Sequence, residues 1–295
     1  MRRILCLFLL LVFFFQPAFA LPKSQSKATD VGTPLRILSW NIYMLPRFAL
    51  ITGKRQRAKK IAELLKESDY HILVFQEAFL GDARKIIRKG LAATFPYAYG
   101  PANRKFSIKA NSGIWILSKL PLKQLDVIQY SECDGFDDCF ARKGALLMEG
   151  EHEGHAFQIL GTHLQAGGPQ RIRHGQFLEV RTILDEHKRE NIPQIVCGDM
   201  NTAHAKKADY EDMLSCLDVE DGPLEITLEE CEDGYLNDMH EGGVRNLWLI
   251  DYVFYRENAK PAKSIKRKMP NLRKKWSKKH RDLSDHFPLD CAIYW

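Results

Sequence analysis

Short apolar runs alternate with amphipathic stretches along most of the chain. "LRILSWNIY" and "HILVFQEAF" have the length and apolar density of buried strands. Between them, "KRQRAKKIAELLKES" places Ile61, Leu64 and Leu65 on one helical face. "DARKIIRKGLAATF" follows as a second helix, then "SGIWILSKLPL", "LDVIQY", "GALLMEGE" and "HAFQILGTHL" as strands. "GPQRIRHGQFLEVRTILDEHKRE" is a long helix with Pro169 near its start, where proline is tolerated. "PQIVCGDMN" is a strand, a short helix covers Ala208–Leu214, and "LWLIDYVFYRE" and "FPLDCAIYW" end the series as strands. Strands and helices alternate in both halves. The pattern predicts an α/β (α+β) fold, a four-layer sandwich of two packed β-sheets flanked by helices.

The first twenty residues stand apart. Two arginines precede an apolar run from Ile4 to Phe15, and Ala18-Phe19-Ala20 supplies the small residues of a cleavage site. This is the layout of a secretory signal peptide, and the run is shorter than a bilayer-spanning helix requires. The expected organisation is a signal peptide at 1–20, a polar lead-in at 21–33 and one domain at 34–295, delivered to an extracellular or periplasmic location. An oxidising destination permits disulfides. Cys133 and Cys139 bracket the polar loop "CDGFDDC" and form the expected pair, while a pairing of Cys216 with Cys231 stays open. Cys197 and Cys291 lie in apolar runs and read as core residues. No paired C-x-x-C of a zinc site occurs.

The formal charge of +6 is spread unevenly. Residues 260–281 carry eleven Lys and Arg and no acid. Without them and without Arg2 and Arg3, 30 basic residues face 37 acidic ones, a balance of −7. The body is acidic, and the block reads either as a contact surface for phosphate-bearing partners or as a solvated loop.

Several strands end in the same way: an apolar run stops and a metal- or proton-handling residue follows. Asn41, Glu77, His163, Asp199, Asn201 and Asp251 stand at such ends, and "LSDH" brings Asp285 and His286 just before the last strand. Asp199 and Asn201 are two residues apart, so on a continuing strand they face the same way. Strand ends gathered at one rim would converge these groups into a pocket without a serine or cysteine nucleophile. Oxygen ligands of this kind suit a hard cation such as Mg²⁺ rather than zinc. The implied chemistry is metal-assisted attack by water.

In order along the chain, "LSWNIYMLP", "LVFQEAF", "NSGIWILSKLPL", "ILGTHLQA", "VCGDMNT", "LIDYVFYRE" and "LSDHFPL" resemble the endonuclease/exonuclease/phosphatase superfamily. Within it, "GTHLQA", "NIYMLP" and "CFARKG" look like the secreted neutral sphingomyelinases. The resemblance implies a single catalytic domain that hydrolyses sphingomyelin to ceramide and phosphocholine. Glu77 would hold the catalytic cation, Mg²⁺ with Mn²⁺ or Co²⁺ as alternatives, with Asn41 nearby and Asp285 on the metal side. His286 would be the general base, held by Asp251, while His163 would meet the phosphoryl or leaving oxygen. Asp199 and Asn201 would orient the water and steady the transition state. Asn111, Asp138 and Lys143 would govern substrate approach.

One departure concerns membrane contact. Secreted bacterial relatives often carry a hydrophobic hairpin between "DYVF" and "SDH". Here the basic block stands in that place, with Trp276 its only aromatic residue. The expectation is electrostatic docking of a monomer on a phospholipid surface through Lys274, Lys275 and Trp276. A secreted Mg²⁺-dependent nuclease is the alternative, since the block could also bind a phosphate backbone.

Overall fold

The computed structural model describes residues 32–46, 53–103, 109–226, 237–239, 249–258 and 262–295. The expected signal peptide, most of the expected lead-in and Cys231 lie outside the described residues. Gly32–Trp295 forms one compact unit.

In chain order the elements are β1 (Leu35–Asn41), α1 (Lys54–Leu65), β2 (Ile72–Gln76), α2 (Gly81–Leu91), β3 (Tyr97–Tyr99), β4 (Trp115–Ser118) and β5 (Lys123–Gln129). Then come α3 (Phe136–Phe140), β6 (Gly144–His152), β7 (His155–His163), α4 (Gln170–Glu186), β8 (Gln194–Asp199) and α5 (Lys207–Leu217). β9 (Leu224–Ile226), β10 (Asp251–Arg256), β11 (Ser264–Met269) and β12 (Leu289–Tyr294) complete the chain. One sheet has the order β3-β4-β2-β1-β12-β11-β9, the other β10-β8-β7-β6-β5.

Period-two alternation builds the layers. Leu35 and Ile37 of β1, Ile195 and Cys197 of β8, and Val253 and Tyr255 of β10 pack in the core between the sheets. Leu38 and Trp40 point the other way, against Ala58, Ile61 and Leu65 of α1 and Ile87 and Leu91 of α2. Val196 and Phe254 meet Phe177, Val180 and Leu184 of α4 and Met213 and Leu217 of α5. The four-layer α/β/β/α expectation holds, and Cys197 and Cys291 are core residues. Cys133 and Cys139 form the expected disulfide, with an S–S distance of 2.04 Å.

The basic block is not a solvated loop. Its centre is β11, paired antiparallel with β12 and parallel with β9. Buried Arg267 forms an ion pair with Asp221, Lys268 reaches Asp290 at 3.6 Å, and Arg273 Nε donates to Asp282 at 2.7 Å. Lys274 pairs with Glu63 at 3.0 Å. Trp276, expected as an exposed anchor, is instead half-buried. Its indole N–H donates to the Asp282 carbonyl at 2.6 Å, and its ring stacks on His280. That ring also lies over Gly53, where φ is 72° and a Cβ would come within 2.0 Å of it. Lys275, Lys278, Lys279 and Arg281 remain exposed.

Candidate active site

β1 runs parallel to β2, and β7 parallel to β8, so their C-terminal ends lie side by side within each sheet. β12 and β10 run antiparallel to β1 and β8, which brings the residues entering them to the same rim. Parity does the rest. Asn41, His163, Asp199 and Asp251 are in phase with the inter-sheet residues of their strands, so all four emerge between the sheets at one end. His163 stands opposite Asp199, and Asp199 opposite Asp251, in the strand register.

Around Asp199 the side chains close into a network. Its Oδ2 accepts from Asn41 Nδ2 at 3.0 Å and lies 3.4 Å from His163 Nε2 and 3.7 Å from His286 Nε2. His286 Nδ1 lies 2.7 Å from Asp251 Oδ2. Burial alone would make His286 less basic, but Asp251, Asp199 and Asp285 outweigh it and raise its pKa well above the ordinary value. The shared proton therefore sits on the imidazole. Asp251 keeps a buried Oδ1 with no partner, and burial pushes its pKa up to about 6.

His163 is tuned in the opposite direction. Burial and then the Lys143 ammonium bring its pKa down to about 3, so it is neutral. Lys143 Nζ lies 3.1 Å from His163 Nε2 and can only donate, which assigns the His163 proton to Nδ1. That Nδ1 is buried without a partner. Lys143 also donates to the Leu164 carbonyl at 2.8 Å and pairs with Asp138. Asp138 accepts from the Ala166 N–H at 2.8 Å; burial would raise its pKa, but Lys143 prevails and holds it low. Asp138 and Lys143 thus form a buried strut behind His163.

Glu77 follows β2 with φ of 51°, a left-handed residue that departs from strand alternation. Gly113 makes room for this turn: φ there is 77°, and a Cβ would approach Glu77 N to 3.0 Å and Phe79 to 2.9 Å. Asn111 Oδ1 accepts the Gly113 N–H at 2.9 Å, so Asn111 shapes the turn that holds Glu77. Glu77 Oε2 is buried with no partner, and burial followed by the Asp285 carboxylate pushes the Glu77 pKa up to about 7. Such an arrangement calls for a cation, and Glu77 and Asp285, with Asn41 beside them, fit a hard divalent one. Asp199, Asp251 and His286 also bring ligand atoms within 4.8 Å of one another. Their closest approach, however, is the His286–Asp251 hydrogen bond, and the surrounding carboxylates hold the proton on that imidazole.

Asn201 corrects the sequence reading. β8 ends at Asp199, and Asn201 is left-handed with φ of 48°, so alternation does not extend to it. Its side chain donates to the Leu164 carbonyl at 3.0 Å and its N–H to Asp199 Oδ1 at 3.0 Å. It steadies Asp199 by a turn rather than by sharing a strand face.

The sequence reading also missed supports. Arg57, fully buried, donates to the carbonyls of Ile42 at 3.0 Å, Leu283 at 2.8 Å and Tyr43 at 2.7 Å. It ties the end of β1 to the segment carrying Asp285 and His286. The signal was present: Arg57 lies one turn before Ile61 on the buried stripe of α1. Ser284 Oγ adds a bond to the Asn41 carbonyl at 2.6 Å.

A cleft of about 420 Å³ opens over Glu77, Lys143 and His163, with Leu45, Pro46, Phe79 and Phe140 on its walls. Phe136 of α3, 6.0 Å from Phe140 between ring centroids, is 78% exposed.

Several known proteins resemble this chain in sequence and fold. "Sphingomyelinase C" of Leptospira interrogans is 26% identical over 94% of this chain. The chain spans 55% of that relative's length, and about half of the curated relatives it matches. A staphylococcal beta toxin with bound magnesium ions superposes with a TM-score of 0.75 at 21% identity, covering 88% of this chain and 99% of its own. Sphingomyelinase C from Streptomyces griseocarneus superposes with a TM-score of 0.75 at 20% identity, over 88% and 99% of the two chains. A sequence match over residues 38–286, which include every rim residue described above, completes the case: the chain belongs to the Endonuclease/Exonuclease/phosphatase family.

Proposed function

We propose that the chain is a secreted, monomeric, Mg²⁺-dependent phosphodiesterase that hydrolyses sphingomyelin to ceramide and phosphocholine. The observation that carries this reading is two oppositely tuned histidines in one cleft, His286 held basic by carboxylates and His163 held neutral by Lys143. Proton acceptance at His286 and hydrogen-bond donation at His163 are thereby divided between two fixed groups. A proton taken from the attacking water would rest on His286 Nε2, stabilised by Asp251 behind the ring. Neutral His163 would contribute a hydrogen bond to a phosphoryl oxygen rather than a transferable proton, and its Nδ1–H has no partner within the protein. A divalent cation held by Glu77 and Asp285, with Asn41 beside them, would neutralise phosphate charge; Mn²⁺ and Co²⁺ offer the same coordination chemistry.

The cleft walls favour a lipid over a nucleic acid. Leu45, Pro46, Phe79 and Phe140 are apolar, and Phe136, which is 78% exposed, lies beside Phe140 of the cleft wall. In this reading Phe136 enters the lipid interface, while Lys275, Lys278 and Lys279 add only a screened electrostatic attraction. The test is a substrate panel of sphingomyelin vesicles, phosphatidylcholine vesicles and duplex DNA in Mg²⁺ buffer. Phosphocholine release from sphingomyelin at a rate well above both others is expected; DNA as the preferred substrate would replace this reading with the nuclease.

A further inference from the structure

Away from the rim, on the helical layer outside the β10-β8-β7-β6-β5 sheet, three side chains of different chemistry meet. His174 comes from α4, and Asp212 and Cys216 lie one helical turn apart on α5, which packs against α4. His174 Nδ1 lies 2.9 Å from Asp212 Oδ2. Cys216 Sγ lies 3.7 Å from His174 Nδ1 and 3.6 Å from Asp212 Oδ1. A tetrahedral zinc ion, with bonds of roughly 2.0–2.3 Å, requires ligand atoms roughly 3.3–3.6 Å apart. Cys216 Sγ stands close to that spacing from His174 Nδ1 and from Asp212 Oδ1; His174 Nδ1 and Asp212 Oδ2, hydrogen-bonded at 2.9 Å, would open slightly and exchange their shared proton for the ion. All three residues are half-exposed, so a fourth position faces solvent.

We propose that His174, Asp212 and Cys216 form a second metal site, selective for Zn²⁺ over Mg²⁺. The donor set decides the selectivity: thiolate, imidazole and one carboxylate suit zinc, whereas a hard cation prefers the all-oxygen rim. Binding would replace the Cys216 thiol proton with a Zn–S bond and release that proton to solvent, with no change of oxidation state. The ion would fasten α4 to α5. The same part of α4 carries Arg173 and Gln176, which bind the Gln165–Ala166 segment that supports Asp138. The site therefore braces the helix beneath the Asp138–Lys143 strut without touching the cleft.

The test uses the full chain, reduced, stripped of metal and then saturated with Mg²⁺. Titration with Co²⁺ should produce one equivalent of the visible bands of a tetrahedral ion and the near-ultraviolet band of a cobalt–thiolate bond. Zn²⁺ should displace it. Cys216→Ser should remove the thiolate band, His174→Ala should weaken Zn²⁺ binding at least tenfold, and Glu77→Gln should leave both unchanged. Should a variant fail to fold, alkylation of the unmodified chain with peptide mapping decides: Zn²⁺ should protect Cys216, which among the described free cysteines is the half-exposed one, Cys197 and Cys291 being buried. A thiolate band that persists in Cys216→Ser would overturn the proposal. So would unprotected alkylation in Zn²⁺, or a peptide map showing Cys216 joined to Cys231 in the oxidised protein.

Discussion

The rim and the basic segment are both dense in charge, yet they handle it in opposite ways. At the rim, Glu77 Oε2, Asp251 Oδ1 and His163 Nδ1 are buried without partners, and several pKa values are driven far from normal. In the basic segment, Arg267, Lys268, Arg273 and Lys274 are matched to Asp221, Asp290, Asp282 and Glu63, and half-buried Trp276 packs against the core. Arg267 Nε, Asp221 Oδ1 and Asp290 Oδ1 also lack hydrogen-bond partners, but each belongs to a residue held in an ion pair. Buried polar atoms are normally satisfied, because leaving one unmade costs about 1–3 kcal/mol. Glu77 Oε2, unpartnered beside the Asp285 carboxylate, marks a place built to receive a cation. Density of like charge in the sequence marks nothing by itself, since partners from distant strands can neutralise it.

The largest effects should therefore come from the rim. His286→Ala is expected to lower turnover on sphingomyelin vesicles and on a soluble phosphodiester alike by about 10³–10⁴-fold, the scale of lost acid–base catalysis. Asp251→Asn should cost less, and it should also move the acid limb of the pH–rate profile to lower pH, because the carboxylate that raises the His286 pKa is gone. Intact activity in His286→Ala would erase the contrast between the two regions.

Glu77→Gln sharpens the comparison by separating function from stability. Glu77 holds its proton more tightly in the folded protein, with a pKa of about 7 against an ordinary 4.5. Its contribution to stability is full below pH 4.5 and lost as pH rises through about 7. In metal-free protein at pH 8, Glu77→Gln should thus raise stability by about 2 kcal/mol, roughly 5 °C in Tm. At pH 4 it should give no gain, and in Mg²⁺ it should be nearly inactive. A thermal scan showing equal or lower Tm at pH 8 would contradict the strain assigned to this carboxylate.

Smaller effects should follow at the mouth and in the basic segment. Phe136→Asp is expected to reduce activity on vesicles by about tenfold, since burying a Phe side chain is worth about 1.5–3 kcal/mol. Hydrolysis of a soluble phosphodiester should stay within twofold of the parent. Lys278→Gln with Lys279→Gln should change vesicle binding about twofold or less on neutral lipid, and more on anionic lipid at low salt. If the lysine pair mattered more than Phe136 on neutral vesicles, membrane contact would belong to the basic segment after all.

Much of this contrast was legible in the sequence, and the failures have definite causes. Period-two alternation placed Asn41, His163, Asp199 and Asp251, because the strands run regularly to those residues. It failed at Glu77 and Asn201, where positive φ ends the alternation and no sequence rule announces it. Lys143 could be named from "CFARKG", but its hold on His163 depends on a cross-strand contact that appears only once β6 and β7 pair. β11 was invisible as a strand because half of "SIKRKM" is basic; its pairing with β12 and the partners Asp221 and Asp290 override that composition. β3 and β9, three residues each, carry too little pattern to be seen. The disulfide needed only two cysteines and a short loop.

The most direct test of the rim is a paired assay of phosphocholine release from sphingomyelin vesicles in excess EDTA and then in excess Mg²⁺, run on the parent chain and on Glu77→Gln. The account predicts no release in EDTA, full recovery in Mg²⁺ for the parent, and little or no recovery for Glu77→Gln. Sustained release by the parent in EDTA, or full recovery by Glu77→Gln at the same Mg²⁺, would contradict it.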